Sequence, residues 1–382
     1  MDLLLDIGKF FVNPVLYIAL LAAILLGYFR VKRERKMFRT RIEWGGTEFA
    51  GLIKDGLLFA LILSAAIAGV GLAVPLQWLI GLSIISALMM ILGIYYLGSF
   101  IYLALGAVIL GWLASNQGWS ADLLLAEYNG LFVDWAWLIP VALISGALLV
   151  VEGILIRRHG AASASPRLEK SSRGLLAATY MSKRLWLLPI LFVVPSTVIE
   201  ALPYWPQLPI GGSSFSLILF PVVFGFQGLS RNTLPAYLYS KIGNAVWKTG
   251  AATLLLALCS LFWAPLALAA LVAGAAGRLA VTIYFEMKQR QGNNVVAPQP
   301  LGVMIVDVLP DSPAHKMGLV RGEVIRKVNG LSVSNEMELY EAIQVNAAHC
   351  RLEVLDHSRE VRLRQHVIFR HDHHRLGLIV VK

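Results

Sequence analysis

The sequence predicts a polytopic α-helical membrane domain of eight or nine spans followed by a small α+β domain at its C-terminal end. Three observations predict this. Apolar residues fill 57% of the 382 positions and charged residues only 15%, whereas a soluble domain is about a quarter charged. Between Asp55 and Asp122 lie 66 residues without one Asp, Glu, Lys, Arg or His, room for about three spans of roughly 20 residues. From Pro300 onward the pattern changes to short apolar strands separated by Gly- and Pro-bearing turns, as in a soluble domain. The boundaries expected are a membrane domain over 1–286, a polar linker over 287–299 and a terminal domain over 300–382.

At the N-terminus, Asp2 and Asp6 stand where a secretory signal carries basic residues, and no small-residue cleavage site follows. Residues 1–11 can form an interfacial helix with Leu3, Leu4, Ile7, Phe10 and Phe11 on one side. The first span, 14–29, ends at Arg30, Lys32, Arg33, Arg35, Lys36, Arg39 and Arg41, against Glu34 alone. Such a basic loop belongs on the cytoplasmic side and contacts anionic lipid. Spans over 57–74, 76–97 and 99–114 follow, then an outer loop with Asp122, Glu127 and Asp134. A fifth span, 135–156, returns to Arg157, Arg158, Arg167, Lys170 and Arg173. Apolar runs over 185–202 and 215–229 read as the sixth and seventh spans, joined by an external Pro- and Gly-rich turn over 203–212.

The last two spans, 249–263 and 265–285, end at Lys288 and Arg290, which places the terminal domain in the cytoplasm. Nine spans with the N-terminus outside satisfy every charge asymmetry; eight do so if one middle run is re-entrant or the first is interfacial. Arg278 reads as snorkelling from the inner half of the last span, and Glu152 and Glu200 as residues near span ends. The net charge of +10 sits in these loops, so it implies a bilayer surface and not nucleic acid. Cys259 lies in a span and Cys350 in the terminal domain, so no disulfide framework is expected.

In the terminal domain, Val303 to Val308 is an apolar strand, Pro310-Asp311-Ser312-Pro313 a turn into a short helix, Val324 and Ile325 a second strand, and Asn329-Gly330 a tight turn. A helix over 335–347 follows, with Ser334 to cap it, then strands over 351–355 and 360–363 about a turn at Asp356 and His357. This succession resembles the PDZ family of peptide-binding modules. The resemblance implies strand addition of a peptide beside the 335–347 helix, with Leu339, Ala342, Ile343 and Asn346 facing it. Two places compete for the loop that receives the ligand's terminus. Leu376-Gly377-Leu378, opening a final strand through Ile379 and Val380, is favoured, because only linker precedes Leu301 and many bacterial relatives are circularly permuted. Leu301-Gly302-Val303 is the alternative.

Catalytic signatures are missing. No His-Glu-x-x-His run, no nucleophilic Ser in an apolar segment with a His on another, and no phosphate-binding Gly-rich loop occurs. Arg370-His371-Asp372-His373-His374 offers three imidazoles and a carboxylate, but consecutive residues rarely converge on one ion. The run reads as a solvated turn or a pH-sensitive rim beside the groove. Neither an enzyme nor a cofactor nor a metal is expected.

Many spans, two basic inner loops, a terminal PDZ-like domain and the stretch Arg30-Val31-Lys32-Arg33-Glu34-Arg35-Lys36 together resemble the MinJ family of Gram-positive rod-shaped bacteria. That resemblance implies a non-enzymatic adaptor that positions cell division, bridging DivIVA-like and MinD-like partners at septum and poles, with self-association open. The rival from another class is a membrane protease or transporter-associated protein whose PDZ domain is regulatory, which would need a polar path through the bundle. A chaperone-like or secretion scaffold is a third.

Overall fold

Why the middle of the chain departs from a simple helical bundle is clear from where its prolines fall. The computed structural model describes residues 8, 10–116, 135–170, 174, 176–200, 214–292, 294–298, 301–346, 349–367 and 376–381. The outer loop, the 203–212 turn, the His371–His374 run and most of the 1–11 segment lie outside the described residues.

Helix α1, Pro14–Phe38, opens with Asn13 accepting the Val15 amide at 3.0 Å and Pro14 at its first position, and ends at Arg39 in a left-handed conformation. Its 25 residues span about 37 Å, more than the roughly 30 Å hydrocarbon core, so its basic last turns lie beyond that core. Then come α2 (Thr47–Lys54), α3 (Leu57–Val70), α4 (Leu76–Leu92) and α5 (Phe100–Asn116). At the centre lies α6, Leu138–His159, with 16 of its 22 residues buried, as befits a helix that is apolar all round. The bundle is completed by α7 (Pro235–Cys259) and α8 (Leu266–Arg290). Among the described residues, five helical stretches are long and apolar enough to cross a membrane: Pro14–Phe38, Thr47–Val70, Trp135–His159, Pro235–Cys259 and Leu266–Arg290. Leu76–Leu92 and Phe100–Ala114 are apolar but shorter.

Two of the runs expected as spans are not helices, and the difference has a definite location. The runs read as the sixth and seventh helices are β2 (Leu176–Glu200) and β3 (Ser214–Ser230), an antiparallel hairpin extended by β1 (Ser165–Lys170). Pro189 stands opposite Pro221. The Leu191 amide bonds Ser64 Oγ at 2.9 Å and the Val193 carbonyl receives the Val74 amide at 2.9 Å, so odd-numbered residues of β2 turn their polar groups away from β3. Pro189 and Pro195 share that parity, and Pro221 shares it with Gly225, whose amide bonds the Gly98 carbonyl at 2.7 Å. The missing proline N–H groups therefore fall where the hairpin ladder needs none, while in a helix each would remove a bond. An open sheet edge in lipid is prohibitive, yet it is tolerated when buried in protein. Here Ser64 of α3 and Val74, just before α4, bond the outer side of β2, and Gly98, just after the Tyr95–Leu97 turn, bonds that of β3. Trp186, Leu187, Leu188, Ile190 and Phe192 are all fully buried, which accounts for a continuous apolar run with no alternation.

The terminal domain is a sheet in the order β8-β7-β5-β4-β9, with β6 on β5. Its strands are β4 (Val303–Val308), β5 (Val324–Val328), β6 (Leu331–Ser332), β7 (His349–Leu355), β8 (Val361–Val367) and β9 (Leu378–Val380). Asn329 and Gly330, at φ 52° and 87°, form the two-residue turn between β5 and β6. Helix α9 is Pro313–Lys316 and α10 is Glu336–Gln344. The cap of α10 is Asn335, whose Oδ1 accepts the Glu338 amide at 2.9 Å, while Ser334 donates its amide to Glu338; the expected Ser334 cap is off by one residue.

One face of the sheet holds its own core with α9 and α10. The other packs on the membrane domain: Met304, Val306, Val324, Ile379 and Val381 belong to the same apolar cluster as the helices and the hairpin. The Tyr180 hydroxyl donates to the Val306 carbonyl at 2.7 Å, and Arg321 Nη1 donates to the Ala164 carbonyl at 3.0 Å. After α8 the chain stays pinned, with the Val295 amide on Arg231 O and the Ala178 amide on Val296 O, each 2.8 Å.

Cys350 is fully buried in the domain core, and burial pushes its thiol up to about 11. At about pH 8 roughly one molecule in a thousand carries the reactive thiolate. A maleimide is expected to label Cys350 only after denaturant is added, as read by mass spectrometry; prompt labelling of native protein would contradict this core.

A candidate peptide-docking edge

The last strand of the chain pairs with the first strand of its domain. Strand β9 lies antiparallel to β4, Leu378 opposite Val308 and Ile379 opposite Asp307, and it forms the edge of the sheet. Among the described residues no further strand pairs with its outer side, so its main chain offers the template that strand addition uses.

The approach to β9 is a constrained loop. Leu376 and Gly377 both take positive φ, 54° and 74°. Leu376 accepts this conformation, costly for a side-chain-bearing residue, while fully buried. Gly377 is required for a second reason: a Cβ there would stand 2.2 Å from Ser312 Cβ. The carbonyls of Leu376 and Gly377 accept the amides of Ala314 and Leu309, both at 2.9 Å. In a planar trans peptide the following N–H opposes the carbonyl, so the amides of Gly377 and Leu378 point away from α9 and β4. Paired backbone amides aimed outward suit a carboxylate or a tight turn.

The other expected residues divide clearly. Leu339, Ala342 and Ile343 of α10 are buried in one cluster with Leu376, Leu378 and Val380. The structure thus brings helix and strand together, but through a filled core. Ile379 faces the opposite way, into the membrane-domain cluster, and Asn346 is exposed. The alternative loop sits elsewhere: Leu301 is exposed, and Gly302 (φ 98°) lies against Val324 and the Ile325 carbonyl, with Val303 paired to Ile325 inside the sheet.

Beneath the edge, Asp307 is 2% exposed and holds Arg321 Nε at 2.6 Å. Burial pushes its carboxyl above the usual range, against the pull of Arg321. Arg321 also covers the Tyr180 ring at 5.8 Å. No sequence signal marked this anchor, because Tyr180 stands in a polar stretch 126 residues from its partner Val306. Burial of β9 on both faces was readable in principle, as the unbroken apolar run 378–381.

Of the basic residues expected at the lipid surface, Lys32, Arg35, Lys36, Arg157 and Arg158 are exposed. Arg33 is half-buried, and Arg30 departs furthest from that expectation. It is buried, with Nε on Glu48 at 2.5 Å, Nη1 on Glu34 at 2.9 Å and Nη2 on the Trp44 carbonyl at 2.7 Å, so it holds the α1–α2 corner and is not a lipid contact. Arg278 does not snorkel either: it is 4% exposed, and its Nε lies 3.0 Å from Glu152 Oε1. No group of three or more His, Cys, Asp or Glu suited to a metal occurs among the described residues.

Comparison with known proteins agrees with both halves. Residues 304–356 match the model of the PDZ domain family. The cell division topological determinant MinJ of Bacillus subtilis is 32% identical over 387 aligned residues, spanning 100% of this chain and 95% of that protein. A probable cell division topological determinant MinJ of Lacticaseibacillus paracasei is 27% identical over 63% of this chain and 65% of its own length. The mitochondrial serine protease HTRA2 of Drosophila ananassae is 32% identical over 73 residues, only 19% of this chain and 17% of the protease. That short match brings no catalytic domain with it.

Proposed function

This chain belongs to the MinJ family of cell-division topological determinants, and we propose from that premise that it is a non-enzymatic membrane adaptor for division-site selection. One observation carries the reading: the likeness to the Bacillus subtilis determinant runs through the membrane helices and the PDZ domain alike. A docking module borrowed by an unrelated membrane protein would match over the PDZ stretch alone. The finer reading is that the protein joins a DivIVA-like scaffold at septum and poles to a MinD-like partner. Its PDZ domain faces the cytoplasm, as Lys288 and Arg290 at the end of α8 suggest, and β9 with the Gly377 and Leu378 amides receives a partner segment. The helices restrict the adaptor to the membrane plane and leave the partner's identity to the edge strand.

The test is a fluorescent fusion of the full chain, imaged in dividing cells lacking their own copy. Enrichment at septa and restored cell length are expected. Uniform membrane signal with normal division would sink the proposal.

A further inference from the structure

The polar corner at the end of α1 leaves two cations over. Glu34 and Glu48 are spent: Glu34 accepts Arg30, Ser165 and the Ile42 amide, and Glu48 accepts Arg30 and Thr47. Arg33, one turn further along, and Lys183 of β2 form no ion pair among the described residues. The Arg33 Nε is buried without a partner, and its Nη1 reaches only the Met181 sulfur at 3.5 Å. Lys183 Nζ lies over the Tyr95 ring at 5.7 Å. Both line one cavity of about 360 Å³, together with Ser163, which is 4% exposed and whose Oγ is likewise buried and unpartnered.

Arg30 and Glu48 also line the cavity, neutralised by their mutual ion pair, and the rest of the wall is largely apolar and turns outward. Leu25 and Phe29 of α1 and Ile91 and Leu92 of α4 line the cavity, and at 41%, 57%, 69% and 65% exposure they also form the outer surface of the bundle. Two of the last carbonyls of α4, on Met89 and Met90, accept the amides of Ile94 and Gly93. The apolar stretch of α1 gives way to basic residues at Arg30, which is the depth of lipid headgroups. Two half-buried like charges and an orphaned hydroxyl are costly unless an anion answers them.

We propose that this cavity binds one anionic phospholipid, its phosphate between Arg33, Lys183 and Ser163 and an acyl chain along Leu25, Phe29 and Ile91. A free phosphate shares the head chemistry but leaves the apolar wall unused. The proposed function rests on none of these residues, so failure of this site leaves that reading untouched.

Native mass spectrometry of the full chain, with added lipid, tests the assignment. The unaltered protein is expected to retain one phosphatidylglycerol in preference to phosphatidylcholine. Arg33→Gln with Lys183→Gln should weaken that retention roughly 25-fold, from about fivefold for each basic group at a lipid surface. The exposed neighbours Arg35→Gln with Lys36→Gln should leave it unchanged. Equal retention of the two lipids by the unaltered protein overturns the proposal without any variant. So does equal loss in both double variants, or displacement of the lipid by inorganic phosphate, which would mark a site for the free anion.

Discussion

Replacing Glu152 by Gln is expected to unfold much of the helical bundle, whereas replacing Glu152 and Arg278 together by Gln and Leu should recover most of its stability. Glu152 is fully buried on the central helix α6 and Arg278 is 4% exposed on α8. The two meet at 3.0 Å; Ser99, just before α5, donates to the second carboxylate oxygen at 2.5 Å, and Arg278 Nη1 reaches Thr282 at 2.5 Å. Removing one charge leaves the other nearly buried and unpaired, a loss of about 3–5 kcal/mol. Removing both deletes the desolvation cost along with the attraction, so the double variant should lie far closer to the original. Thermal unfolding in mild detergent, followed by size-exclusion of a fluorescent fusion, reads the difference. A Glu152→Gln protein that melts with the unaltered one would show that the pair bears no load. A double variant worse than the single would place the importance in Arg278 itself.

That pair also marks where sequence reading stops. A charge inside an apolar run reads as snorkelling when its partner lies 126 residues away, because periodicity reports only local neighbours. Arg30 was misread for the same reason: Glu48 is 18 residues off, across a turn. The PDZ domain was legible because its constraints are local. Asn329-Gly330 forms its turn and Gly377 its positive φ within a few residues of where the sequence puts them. The hairpin was not, since a strand buried on both faces has no alternation and looks like a span. Pro189, Pro195 and Pro221 were the available signal, each awkward in a helix. The edge strand β9 was legible in outline, opening at Leu378 where the sequence puts it. Its anchoring to the membrane domain through Tyr180 and Arg321 was not, because nothing local distinguishes those two residues.

Gly153→Ala should lower stability by about 3 kcal/mol or more, while Gly69→Ala should leave it unchanged or raise it. The seam between α6 and α7 is built on glycines: Gly146 and Gly153 on one helix, Gly243 and Gly250 on the other, each pair seven residues apart. A Cβ on Gly153 would lie 2.3 Å from the Trp247 nitrogen, one on Gly243 2.6 Å from the Arg157 nitrogen, and one on Gly250 2.5 Å from the Val150 nitrogen. The obstructing atoms are backbone, so no rotamer change relieves them. The helices must separate, and lipid supplies no hydrophobic force to hold them once close packing is lost. Overpacking of this kind costs about 1–3 kcal/mol where side chains can yield, and more where they cannot. Gly69 on α3 has nothing within 4 Å of its Cβ position, so alanine there adds only helix propensity, roughly 0.5–1 kcal/mol in favour. Because Gly153 follows Glu152, separating the seam also draws the carboxylate from Arg278. In a protein that already lacks the pair, Gly153→Ala should keep its clash with α7 but lose the ion-pair share of its cost, so the two losses should be less than additive. Equal melting of the Gly153→Ala and Gly69→Ala proteins would show that α6 and α7 do not meet on these glycines.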